Sequence, residues 1–459
     1  MNYLEVTLFI IAVVGVIALG IWKSRDEKLD GEQGATDYFL AGRGLTWWLV
    51  GFSLIAANIS TEQFVGMSGS SANWLGMAIA SYEWLAAVTL IFVAFWFLPK
   101  FLKAGLYTIP EFLQYRFDGV ARLAMAIPAV VTLVFVTTSS VIFSGGKFVS
   151  EYYNDVPVLN NLTVVCWMIA IFAAVYVFIG GLKACAWTDL IWGAALIVGG
   201  AIVMFLAFSV LADKPAEELI LTKVDNSNAT VEDLQNASAW ERFMLLNDGV
   251  EGEAVAENGP NGTGGKVHMV RPKEDSDIPW TALLIGLWIP NFFYWGLNQY
   301  IVQRTLGSKS LAEGQKGIVF AAVLKLLIPF MVVIPGILAY NLFQADLFNA
   351  STGNYDYDRA FPVLVRNLIK PMPMLSWFVL AALCGAVISS LASMLNSAST
   401  IATMDLYAKF TGEKDPAKLV KVGRVFVVLF VILAGLVAPR LNTFESIYAY
   451  IQEFQGFIS

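Results

Sequence analysis

The chain has 459 residues, 57% of them apolar and only 14% charged, with 14 Trp and a formal net charge of −7. That composition excludes an ordinary soluble globule and points to a polytopic membrane protein. Most of the excess acid lies in one polar segment, so the charge is no argument for nucleic acid, and Cys166, Cys185 and Cys384 have neither metal nor disulfide spacing.

The first apolar run, Tyr3 to Trp22, lacks the basic leader and small-residue cleavage site of a signal peptide. Its basic residues, Lys23, Arg25 and Lys28, follow it instead, so it reads as a transmembrane helix with its N-terminus outside. Runs near 45–68, 77–99, 122–150, 161–180, 187–212, 280–306, 315–343, 375–407 and 419–440 also approach the length of about 20 residues that a bilayer demands, and another begins near Phe444. The loops that this orientation makes cytoplasmic hold clusters such as Lys100, Lys103, Arg116 and Arg122, and Arg304, Lys309 and Lys316. The short outside loops hold only Lys147, Arg359, Arg366, Lys370 and Arg440, in keeping with the positive-inside rule. The predicted organisation is an extra N-terminal helix (1–22), a first five-helix repeat (45–212), an extracellular acidic polar loop (213–278) and a second repeat (279–459). The repeats are inverted because an odd number of crossings separates their starts.

Ser53 to Met67 continues the apolar run from Leu45 yet carries Asn58, Ser60, Thr61, Glu62 and Gln63 at membrane depth, where lipid tolerates little polarity. The second repeat opens with Trp288 to Gly296. There Pro290 removes a backbone donor and Gly296 loosens the helix, while Asn291 and Tyr294 bring polarity to a predicted break. Interrupted helices in corresponding positions point to a transport site between repeats; taken singly, each also fits an ordinary packed kink.

Glu83 and Lys325 lie inside apolar runs, where each unpaired charge costs about 2.5–3.5 kcal/mol. They face a wet cavity or each other, and a purely structural ion pair fits the same pattern. Ala386, Ser389 and Ser390 share a helix face, and Asp189 stands at the start of an apolar run. Serines bonding their own carbonyls and a simple N-cap are the plainer readings. Hydroxyls, a carboxylate and the freed carbonyls of a broken helix are also the oxygen set that a small hard cation takes.

The strings Asp37-Tyr38-Phe39-Leu40-Ala41-Gly42-Arg43, Ala56-Ala57-Asn58-Ile59-Ser60, Tyr107-Thr108-Ile109-Pro110-Glu111-Phe112, Trp187-Thr188-Asp189, Gln303-Arg304 and Ser389-Ser390-Leu391-Ala392-Ser393-Met394-Leu395-Asn396-Ser397 resemble the sodium/solute symporter family. Within it they are similar to the sodium/glucose cotransporter branch and its bacterial sodium/galactose members. The resemblance implies an all-α integral membrane protein, a LeuT-like 5+5 inverted repeat preceded by one extra N-terminal helix, with the last core helix truncated. It implies that Gln63, Glu83, Asn291, Lys325 and Gln452 hold sugar hydroxyls. Tyr294 would stack under the ring as inner gate beside Trp295, with Met67, Tyr82 and Tyr448 as the outer lid. The carbonyls of Ala56, Ile59 and Ala386 and the hydroxyls of Ser389 and Ser390 match sodium ligands, with Asp189 close by. Bound Na+ would fix the break so that Asn58 and Gln63 meet the sugar. Three departures stand out: Ala86 where a sugar-facing Ser is expected, Trp192 where the Trp-Thr-Asp string usually ends in Gln, and one extra residue between Ser71 and Gly76.

A pocket in which Glu83 and Lys325 cancel favours a neutral polyol, whose hydroxyls suit amides that both donate and accept; an anion calls for an unpaired Arg. The expected function is sodium-coupled secondary active symport of a galactose- or glucose-like sugar into the cell by alternating access, in the cell membrane. Na+ is the coupling ion and no other cofactor is expected; the partners are the sugar, Na+ and the lipid bilayer, not nucleic acid, and the oligomeric state stays open. No membrane histidine, His-Glu-x-x-His motif, Cys/His pair or P-loop supports an enzyme or an ATP-driven pump. A family member carrying a non-sugar solute, and a membrane sensor that binds sugar without moving it, fit the same residues.

Overall fold

The protein is described by a computed structural model over residues 3–25, 33–249, 265–273, 275, 277–349, 353–444 and 447–456. Helices dominate because a long apolar run at membrane depth must satisfy its own backbone. The principal ones are α1 (Tyr3–Ser24), α2 (Trp47–Asn58), α3 (Gly76–Ala104), α4 (Gly119–Tyr152), α5 (Leu162–Asp213) and α6 (Ala282–Leu297). They are followed by α7 (Gln299–Leu306), α8 (Leu311–Leu347), α9 (Pro373–Thr411), α10 (Pro416–Thr443) and α11 (Ile447–Gly456). Seven helical stretches among the described residues are long and apolar enough to cross a membrane, and α2, the first part of α5 and α6 are shorter apolar helices.

α5 spans two of the expected runs, bent where Gly181 adopts φ +57°. A Cβ at that position would also lie 2.7 Å from the Tyr38 carbonyl oxygen, so glycine is required twice over. α9 forms the centre of the bundle: 83% of its most apolar stretch is buried, against 17% for α1. α1 packs at the periphery and is held at its start by Glu5, which accepts a 2.6 Å hydrogen bond from Ser376 of α9. α2 and α8 approach closely because Gly317 leaves room; a Cβ there would sit 2.7 Å from the Trp47 carbonyl and from Val50. That close approach sets Lys325 of α8 beside the polar end of α2.

The polar segment after α5 is more ordered than its composition indicates. It contains the short helices Ala216–Leu219, Val231–Asn236 and Ala239–Asn247, the latter two opened by capping boxes, Thr230 with Asp233 and Ser238 with Glu241. Residues 250–264 lie outside the described residues. Beyond them the chain grips the turn that leads into α3. Lys266 donates to the Ala72 carbonyl at 2.7 Å with its Nζ 3.4 Å from the Tyr340 ring centroid, the Met77 N–H donates to the Lys266 carbonyl at 2.6 Å, and Arg271 donates to the Trp74 and Leu75 carbonyls.

Burial pushes the Lys266 ammonium down from the usual lysine range to about 7. Between about 7 and that usual range the unfolded chain holds a proton that the folded one has released, so stability rises with pH across this window and is least below it. Thermal unfolding of the wild type is expected to shift upward from pH 7 to pH 9, and the Lys266→Met protein to lose that slope.

Candidate functional site

The first break falls where the sequence places it. α2 ends at Asn58, Ile59 turns extended (φ −92°, ψ 102°), and the helix resumes at 61–72 through a π turn over Gln63–Met67. The string Ser60-Thr61-Glu62-Gln63 restarts it as a cap would. The Ser60 N–H donates to Gln63 Oε1 at 2.9 Å, and Ser60 Oγ accepts from the Glu62 N–H at 3.3 Å. One end of the Gln63 amide is thereby committed to the backbone, leaving its NH2 for a ligand.

The second break lies elsewhere than expected. α6 runs through Pro290 without interruption, its C-terminal cap is Leu297, and Asn298 is extended (φ −78°, ψ 122°) before α7. Pro290 sits in the first turn after a π turn over Ala282–Gly286, where a missing N–H costs little. Asn291 is not at the break. It is buried on α6, and its Nδ2 donates to the Leu287 carbonyl at 2.8 Å.

Arg304, counted above among cytoplasmic loop charges, is instead fully buried on α7. Its guanidinium donates to the Ser53 carbonyl at 3.0 Å and hydroxyl at 2.8 Å, to the Tyr300 carbonyl and to the Ser393 hydroxyl, and it pairs with Asp189 at 3.5 Å. Asp189 is not an N-cap: it lies inside α5, fully buried, and accepts from the hydroxyls of Ser53 and Ser389. Ser390 donates to the Ala56 carbonyl at 3.1 Å. Ala56, Asp189, Ser389 and Ser390 thus converge from α2, α5 and α9. Ile59, at the break three residues after Ala56, and Ala386, one turn before Ser389 on α9, are also buried. Neutral carbonyl and hydroxyl oxygens beside one carboxylate are donors that Na+ accepts.

Next to this cluster, a small cavity of about 60 Å³ is lined by Asn58, Glu62, Gln63, Tyr82, Glu83, Ala86, Pro290, Asn291, Tyr294, Trp295, Lys325, Ile451 and Gln452. On this measure one water needs about 10–15 Å³, so the cavity holds a few waters and must widen to admit a sugar. Lys325 organises it. Its Nζ pairs with the Glu83 carboxylate, donates to Asn58 Oδ1, and lies 5.2 Å from the Trp295 ring centroid. Asn58 Nδ2 in turn donates to the Tyr294 hydroxyl at 2.8 Å, and Tyr294 bonds the Tyr300 hydroxyl. One chain of polar contacts therefore runs from α3 through α8 and the first break to the second.

Of the predicted lid, Tyr82 lines this cavity and Met67 is buried in the π turn behind it. The side chain of Tyr448 lies outside the described residues. Gln452 reaches the cavity from α11. Ala86 faces it where a hydroxyl was expected, and Trp192 packs face-on against Gly385, whose Cβ, if present, would collide with the indole. Glu62, left out of the charge balance above, also enters the cavity; it is 7% exposed and its Oε2 has no hydrogen-bond partner. Its signal was visible in the sequence as a carboxylate at membrane depth.

Discontinuous helices that bring a polar pocket and an oxygen-rich cluster together in a helical bundle define a membrane transporter of the LeuT fold. A Na+-coupled sialic acid symporter, solved in a substrate-bound outward-open state, shares that fold with a TM-score of 0.75 at 19% identity, covering 100% of this chain and 86% of that one. The family profile described as "Sodium:solute symporter family" matches residues 38–459. A sodium/glucose cotransporter of Vibrio parahaemolyticus is 40% identical over 471 aligned residues, with 100% of this chain and 79% of the relative covered. The uncharacterized symporter YidK of Escherichia coli (strain K12) is 35% identical, with 99% and 72% covered. The chain belongs to the sodium:solute symporter family.

Proposed function

We propose that the protein carries a neutral sugar of the galactose or glucose type into the cell together with Na+, by alternating access, in the cell membrane and with its N-terminus outside. The observation that carries this reading is the Lys325, Glu83, Asn58 and Tyr294 network. It offers donors and acceptors side by side above an aromatic ring, which suits a polyol with an apolar ring face. The cation in the cavity is already paired, which argues against an anionic substrate. The name of the Vibrio relative supports the same class.

In this reading Gln63, Glu83, Asn291, Lys325 and Gln452 hold hydroxyls and Tyr294 stacks beneath the ring beside Trp295. Na+ takes the carbonyls of Ala56, Ile59 and Ala386 and the hydroxyls of Ser389 and Ser390, with Asp189 adjacent. Ser390 now bonds the Ala56 carbonyl, so Na+ would replace a hydrogen bond between two of its own donors. That draws α9 and the first break together and presents Asn58 and Gln63 to the sugar. Sugar then closes the Tyr82, Met67 and Tyr448 lid, and breakage of the Asn58–Tyr294 bond opens the other side. A tenfold Na+ gradient supplies about 1.4 kcal/mol and 100 mV about 2.3 kcal/mol more. Together they sustain a sugar gradient of several hundredfold.

The test is uptake of labelled galactose into proteoliposomes, with an inward Na+ gradient or K+ in its place, and glucose, proline and sialic acid as competitors. Accumulation that requires Na+ and yields only to sugars is expected. Uptake of a non-sugar with galactose ignored would refute the sugar assignment, and galactose binding without accumulation would identify a sensor.

A further inference from the structure

Of the charged side chains lining the cavity, Glu62 has no part in the sugar contacts proposed above. It stands three residues beyond Ile59, in the first turn after the break, nine-tenths buried with a bare Oε2. The charges at the two neighbouring sites do not cancel separately. Counted as formal charges, the two carboxylates of Glu62 and Glu83 in the cavity face the single ammonium of Lys325, a sum of −1. In the oxygen-rich cluster, Asp189 and Arg304 pair at 3.5 Å and cancel, so an arriving Na+ leaves +1. The sites share one element, the break itself, and with every group ionised their formal sum is zero only with the ion bound.

A buried carboxylate with an unused lone pair is costly unless something of opposite sign lies near. The other titratable groups around the cavity are Tyr82 and Glu83 of α3, Tyr294 of α6, Tyr300 of α7 and Lys325 of α8. Lys325 is engaged by Glu83 and Asn58, and Lys147 of α4 by Asp356 at 2.7 Å. We propose that Glu62 is the counter-charge of the coupling ion: its carboxylate acts through the short break to raise Na+ affinity, and bound Na+ in turn holds the carboxylate and the pocket in place. Such coupling is reciprocal, so sugar binding inherits part of its sodium dependence from this residue. Glu62 is a positioning residue that acts by its field, not a sodium ligand. The inference presupposes the sodium/sugar symport proposed above.

The test compares wild type, Glu62→Gln and Glu62→Asp in proteoliposomes, using galactose uptake against Na+ concentration and Na+ titration of tryptophan fluorescence without sugar. Glu62→Gln is expected to raise the half-saturating Na+ concentration about tenfold or more in both, equivalent to about 1.4 kcal/mol. Glu62→Asp, which keeps the charge, is expected to stay within about threefold of wild type. If Glu62→Gln does not fold, Glu62→Asn against Glu62→Asp makes the same comparison. A neutral variant with wild-type sodium affinity overturns the proposal, and so does one whose galactose affinity alone falls at saturating Na+, since that marks a sugar contact. A wild type indifferent to Na+ overturns the symport reading instead.

Discussion

Replacing Asp189 by alanine is expected to raise the Na+ concentration for half-maximal uptake by about 100-fold or more and to destabilise the protein by about 3–5 kcal/mol. Asp189 is fully buried and accepts from Ser53 and Ser389 while pairing with Arg304. Without it the guanidinium of Arg304 remains buried and uncompensated. The damage reaches the first broken helix and the central helix, because Arg304 of α7 also holds the Ser53 carbonyl of α2 and the Ser393 hydroxyl of α9. Sodium titration of uptake and thermal unfolding read the two effects separately. The double variant Asp189→Asn with Arg304→Met removes both charges and is expected to recover most of the stability but not the sodium affinity. Wild-type sodium affinity in Asp189→Ala would contradict the proposed sodium site beside α5.

Lys325→Met is expected to lower galactose uptake at least about 100-fold, again with a stability loss of about 3–5 kcal/mol. It leaves Glu83 and Glu62 in one buried cavity with no cation between them. It also removes the donor that fixes Asn58 Oδ1, and through Asn58 Nδ2 the position of the Tyr294 hydroxyl. Pairing it with Glu83→Gln should restore thermal stability without restoring uptake, which separates a structural ion pair from one that meets the substrate. Lys325→Arg is no conservative control, because a planar fork cannot occupy a site shaped for a compact ammonium. Transport at the wild-type rate by Lys325→Met would remove the cavity from the substrate path.

The helical runs were legible because a backbone in hydrocarbon must satisfy itself locally, which demands long, nearly uninterrupted apolar stretches. The first break was legible for the converse reason: five polar residues between Asn58 and Gln63 have no use in such a stretch unless the helix opens. The second was misplaced because Pro290 and Gly296 carry equal weight in a linear string. Pro290 falls in a first helical turn, where it is harmless, and the chain opens only past Gly296, at Leu297 and Asn298. The capping boxes at Thr230 and Ser238 were also readable, since Ser/Thr followed three residues later by an acid is a helix start, but the polar composition around them reads as loop.

The class of protein, the order of its helices, the first break and the family can thus be read from the linear chain. Which charges meet depends on the three-dimensional packing. Glu83 finds Lys325 and Asp189 finds Arg304 across long separations in the chain. Arg304, close in sequence to Lys309 and Lys316, reads as a loop cation until α7 carries it into the core. Periodicity and composition report what a segment does with its own backbone and its own solvent. A buried charge is governed by its partner, and the partner is supplied by the packing of helices that are remote in the chain.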